Sequence, residues 1–147
     1  MRIFTGLALA LYLSVASAAD GVIEMESAHS VSETADRLVQ QIEQRGLRVF
    51  SRIDHSAGAA SIGAELRPTQ LLIFGNPQGG TPFMQCAQTV GIDLPLKALV
   101  WEDASSRVWV GYNDPAFIAA RHGVVDCPVV ANMRRALDAI VTAALEP

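Results

Sequence analysis

The first nineteen residues decide how much of this 147-residue chain can fold as a water-soluble unit. Met1 and Arg2 form a short positive start, and an apolar run from Ile3 to Val15 follows, broken only by Thr5, Gly6 and Ser14. Ala16-Ser17-Ala18-Ala19 then precede Asp20. A charged start, an apolar middle and small residues at the end make the pattern of a secretory signal peptide. Cleavage is expected after Ala18 or Ala19. The apolar run is shorter than the roughly 20 residues of a membrane-spanning helix. The expected organisation is therefore a signal peptide over residues 1–19 and one domain over 20–147, periplasmic or secreted, with no stable membrane insertion after cleavage. Losing Arg2 makes that domain one charge more acidic than the −4 of the full chain. Fifteen Asp and Glu against eleven Lys and Arg exclude a strongly cationic nucleic-acid-binding surface. A composition that is 50% hydrophobic excludes intrinsic disorder.

Export changes what the only two cysteines mean. In an oxidising compartment Cys86 and Cys127 are expected to pair, and closing that loop contributes about 3–4 kcal/mol by restricting the unfolded chain. Two buried thiols, or a metal or redox role, are the other readings, although no Cys-x-x-Cys spacing is present.

Periodicity divides the domain. Val22 to Ser27 reads as a strand. Ser30-Val31-Ser32-Glu33 reads as a capping box opening a helix whose apolar face is Val31, Ala35, Leu38, Val39 and Ile42, closed by Gly46. Leu47 to Asp54 alternates as a half-exposed strand, with Leu47, Val49, Ser51 and Ile53 on one side. A small-residue helix from Ala57 to Leu66 follows. Leu71-Leu72-Ile73-Phe74, apolar on both faces, suits a central strand. Thr81 and Pro82 are placed as cap and first residue of the next helix, which Gly91 ends. Leu96 to Glu102 and Arg107 to Tyr112 form a hairpin around Asp103-Ala104-Ser105-Ser106. Asp114-Pro115 starts a short helix closed by Gly123, and a last helix from Pro128 carries Val130, Met133, Leu137, Ile140, Val141 and Ala144 in one stripe. The order predicts an α+β single domain, a mainly antiparallel sheet of about five strands with helices packed on one face.

Several strings carry a family resemblance: Phe50-Ser51-Arg52-Ile53-Asp54-His55, Leu66-Arg67-Pro68-Thr69-Gln70-Leu71-Leu72-Ile73-Phe74-Gly75-Asn76-Pro77, Gly80-Thr81-Pro82-Phe83-Met84-Gln85, Gly91-Ile92-Asp93-Leu94-Pro95-Leu96-Lys97 and Gly111-Tyr112-Asn113-Asp114-Pro115. Together they resemble the DUF302 family, a bacterial and archaeal domain of unknown function, collinearly from about Val31 to Leu145. The resemblance implies a small α+β domain that forms homodimers, and it implies no catalytic residues.

Among groups able to carry chemistry, His55 ends a strand, follows Asp54 and precedes a helix of small residues, so a neutral imidazole there could accept a proton or bind a metal. Its plainer role is to bond local backbone at the turn. His122 sits in the last turn before Gly123, where the helix dipole explains it, and His29 precedes a cap. The Gly75-Asn76-Pro77-Gln78-Gly79-Gly80-Thr81 loop could gather backbone donors around an anion, yet it lacks the lysine of a phosphate-binding loop. Lys97 could lend a cation. These residues predict a small, anionic ligand bound near His55, Asn76, Thr81 and Lys97 by a non-enzymatic binding or interaction domain, with no cofactor. The alternative is a redox, metal or haem-handling protein built on Cys86, Cys127 and His55, with Met84 as a further soft ligand. A hydrolase using His55 and Asp54 ranks last, because neighbouring strand residues face opposite ways.

Overall fold

A run of apolar residues marks an interior strand of the sheet. The computed structural model describes residues 19–147, so the signal peptide expected over residues 1–19 lies, but for Ala19, outside the described residues. Within it Leu71 to Phe74 belong to β3 (Thr69–Gly75), flanked by β2 (Arg48–Asp54) and β4 (Leu96–Glu102). Adding β1 (Val22–Ser27) and β5 (Val108–Asn113) gives the order β1-β5-β4-β3-β2, antiparallel throughout. The sheet buries Leu72, Phe74, Ala98, Val100, Val110 and Tyr112 beneath two long helices, α1 (Val31–Gln44) and α5 (Val129–Leu145). This is the expected α+β fold.

Both helices are built by their apolar stripes. On α1 the buried residues are Val31, Thr34, Ala35, Leu38 and Ile42; on α5 they are Val130, Met133, Leu137, Ile140, Val141 and Ala144. The Ser30 hydroxyl caps α1 by accepting the Glu33 N–H at 3.2 Å. The second half of the expected capping box is replaced, because the Glu33 carboxylate turns instead to His29 Nδ1 at 3.1 Å. Thr34, the buried polar residue of this stripe, satisfies its hydroxyl against Ser27 Oγ on β1 at 2.7 Å.

Three local expectations are corrected. A β-bulge between Val49 and Ser51 breaks the alternation of β2, so Val49 stands opposite Phe74 while Ser51 and Ile53 stand opposite Ile73 and Leu71 on the outer face. After the bulge Arg52 comes round to the helix side, where it pairs with Asp36 of α1 and donates to Gln70 Oε1 at 2.8 Å. The helix expected over Ala57–Leu66 is the shorter α2 (His55–Ser61), because the Asp54 carboxylate caps it early by accepting the Ala57 N–H at 2.9 Å, and Gly63 turns at φ 74°. The helix expected from Thr81 starts at Pro77, as α3 (Pro77–Cys86), with Pro82 inside it. It ends before Gly91, and Gln88–Ile92 forms a separate 3-10 turn. A further helix, α4 (Pro115–Arg121), follows β5, capped by the Asp114 carboxylate on the Ala116 N–H at 2.9 Å.

Beyond the helices, the outer sheet face carries Leu71, Ile73, Leu99, Trp101 and Trp109, all half-buried. Gly111 lets the Trp101 indole lie flat there: a Cβ at that position would come within 2.9 Å of the ring.

Candidate functional site

Where β3 runs out at Gly75, the chain leaves the sheet and surrounds a hollow instead of filling it. Asn76 caps α3, its Oδ1 accepting the Gly79 N–H at 2.9 Å, and Pro77 takes the first helical position, where its missing N–H costs nothing. The opposite wall is the start of α5, with Val129, Asn132, Met133 and Ala136. A third side comes from Gly91, Leu94, Pro95 and Leu96, and a fourth from Arg45, Leu47 and the bulge residue Phe50. Together with Met84 and Thr81 of α3 they border an open-mouthed cavity of about 760 Å³.

Two residues keep this space open. Gly79 and Gly80 lie in ordinary helical backbone, and neither is held by a close neighbour. A Cβ on Gly79 would approach nothing nearer than Asn76 Oδ1 at 3.4 Å, and one on Gly80 would meet Leu94 Cδ1 at 3.6 Å. Neither turn geometry nor packing demands glycine, and each costs α3 about 1 kcal/mol relative to alanine. Their effect is to leave the hollow unfilled.

Cys86, the last residue of α3, and Cys127, just before α5, have their Sγ atoms at disulfide distance, 2.15 Å, with Cα atoms 6.0 Å apart. This cross-link joins two walls of the cavity.

Of the residues expected at a site, Asn76 and Thr81 line the cavity, as does Met84. Lys97 does not; its Nζ donates to the carbonyl oxygens of Pro95 at 2.9 Å and Asp93 at 3.2 Å, pinning the segment that forms one wall. His55 opens α2 at the far end of β2, about 20 Å along the strand from Arg48. Asp54 beside it is spoken for: the Ser56 hydroxyl, then the Ala57 N–H, hold its carboxyl below the usual range. The set His55, Met84 and Cys86 therefore does not assemble, and the described residues contain no cluster of three His, Cys, Asp or Glu able to hold a metal.

Sequence reasoning missed the walls drawn from distant segments, and also a polar clamp. His122 Nε2 meets Asp93 Oδ2 at 2.6 Å, its Nδ1 meets Thr89 Oγ1 at 2.9 Å, and Arg121 Nη1 donates to Asp93 Oδ1 at 2.9 Å. This clamp ties the segment after α3 to the end of α4. Nothing local to His122 announces a partner so far back in the chain; the Asp93-Leu94-Pro95 string was the available signal.

An antiparallel sheet with one helical layer and an end cavity defines the protein's class as an α+β domain. The model of the DUF302 family, a domain of unknown function, matches residues 23–140, and the chain belongs to that family. The crystal structure of an uncharacterized conserved DUF302 protein from Bacillus stearothermophilus superposes with a TM-score of 0.76, covering 86% of this chain and 99% of that one at 19% identity. It shares the fold. Among curated proteins, the fluoride-specific ion channel FluC 1 of Brucella suis is 50% identical over 114 residues, which are 77% of this chain and 45% of that protein. FluC 2 of Brucella melitensis matches equally over 42% of its length. The chain thus spans less than half the length of these relatives, and no described helix is long and apolar enough to cross a membrane.

Proposed function

We propose that the protein is an exported, non-enzymatic domain that binds a small ligand in the end cavity and acts as a homodimer. The observation that carries the reading is the glycine pair Gly79-Gly80, which weakens a helix and leaves a volume of about 760 Å³ beside it. That volume falls within the roughly 300–1,000 Å³ of small-molecule sites. The cross-linked cysteines suit an oxidising compartment, in keeping with the signal pattern before Asp20. The relatives that carry a similar segment within a longer chain named for a fluoride channel support an appended binding or interaction module over an enzyme. Native mass spectrometry of the protein recovered from its own periplasm or medium tests this. The expected result is a dimer of chains starting at Ala19 or Asp20 with an added small-molecule mass that Gly80→Leu removes. A clean apo monomer overturns the reading.

A further inference from the structure

We infer that the cavity takes an uncharged, largely apolar molecule rather than an anion; this rests on reading the cavity as a ligand site and names the ligand's class. Three features carry it. The first is charge. Among the described residues Arg45 is the only charged one in the lining, and its guanidinium donates to the Gln41 backbone and side-chain oxygens and, at 3.3 Å, to the Ala139 carbonyl. Three of its five N–H donors are spent on those neutral oxygens, and the nearby Lys97, itself outside the lining, turns its ammonium to the Pro95 and Asp93 carbonyls. The second is the start of α3, where free N–H groups could have drawn a negative group. Pro77 has no N–H, Gly79 gives its own to Asn76 Oδ1, and Gly80 gives its own to the Asn76 carbonyl at 3.1 Å. Of the first four positions of α3, Pro77, Gly79 and Gly80 have no N–H to offer, which leaves that of Gln78.

The third feature is the wall itself. Leu94, Leu96, Phe50, Val129, Met84 and Met133 present carbon and thioether sulfur. Water in such a space finds too few polar partners to be held well, so an apolar occupant gains by replacing it. The two methionines, unbranched and polarisable, let one wall adapt to the occupant's outline. Thr81, Gln78 and Asn132 supply neutral hydrogen-bonding groups, enough to orient a hydroxyl, carbonyl or amide on an otherwise apolar body.

The test titrates the disulfide-bonded protein with N-phenyl-1-naphthylamine, a neutral apolar dye that brightens on leaving water, and in parallel with phosphate and acetate followed by melting temperature. The expected result is saturable dye binding at one site per chain, unaffected by either anion. Gly80→Leu weakens it at least tenfold, Met133→Trp does the same by filling the opposite wall, and Ile62→Ser, on a residue 82% exposed and away from the cavity, leaves it unchanged. Should Gly80→Leu fail to fold, Met133→Trp reads the same prediction. Dye binding of parental strength in both cavity variants overturns the inference. So does a melting temperature raised by phosphate or acetate in the parent and not in Gly80→Leu, which keeps the cavity as a ligand site and changes its class. No dye binding and no anion effect overturns the ligand-site reading as well.

Discussion

Helices α1 and α3 are made by opposite rules. In α1 the first turn is capped by Ser30, the interior has no glycine or proline, and a full stripe from Val31 to Ile42 is buried on the sheet. In α3 two glycines stand in the first turns, Pro82 interrupts the backbone bonding, and Phe83 is the one residue fully buried. A helix with so little packing of its own is held at its ends, by the Asn76 cap at one and Cys86 at the other. The lesson is that α1 supplies stability and α3 supplies shape.

Removing the cross-link should separate the two most. With the cysteines 41 positions apart in the chain, the Cys86→Ser/Cys127→Ser double variant should lose about 4 kcal/mol in chemical denaturation. Its hydrogen exchange should rise first along α3, with α1 still protected. Equal loosening of both helices would break the contrast. Next comes α1's own dependence on packing: Leu38, 0% exposed, should cost about 3 kcal/mol as Leu38→Ala, measured by urea unfolding. Gly80→Ala should go the other way, raising stability by about 1 kcal/mol because α3 gains a better helix former and nothing clashes. The same reversal in α1, Ala35→Gly, should lower it. Ser30→Ala should lose about 1 kcal/mol through the missing cap.

The smallest effect lies in neither helix. In the β4–β5 turn, Asp103 accepts from Trp109 Nε1 at 3.0 Å and from the Arg107 backbone N–H at 3.0 Å, and these donors lower its carboxyl from 3.8 to about 2. A depressed carboxylate stabilises the fold fully above its unfolded value. The contribution is therefore present above pH 3.8 and is lost as pH falls through about 2. Asp103→Asn should flatten that part of the acid-unfolding curve slightly, since the half-buried carboxylate still meets solvent that screens it, and leave both helices as they were.

Much of α1 could be read directly from the sequence, and much of α3 could not, for physical reasons. The stripe of α1, the stripe of α5 and the bounds of β1 and β4 follow from periodicity and from caps adjacent in the chain. Before α3, two cap-proline pairs compete, Asn76-Pro77 and Thr81-Pro82, and the glycines between them read as a loop. The backbone chose the earlier pair because Asn76 reaches the Gly79 N–H. The bulge at Phe50 is masked because Leu47, Val49 and Ile53 keep a period of two, although apolar Phe50 followed by polar Ser51 marks the slip. Asn76 and Thr81 could be found because their segment is unusual in itself. Met133 could not, since the same three- and four-residue spacing describes a core residue and a cavity wall, and only the glycines opposite decide which it is.

The strand order has a kinetic consequence. β1 is the first strand made and an edge of the sheet, and its one neighbour, β5, ends at Asn113 near the other end of the chain. Every hydrogen bond across that pair must wait for the intervening segment, and closing so long a loop makes folding slow. Until β5 arrives β1 has no partner strand, while β2, β3 and β4 can already pair with one another in sequence order.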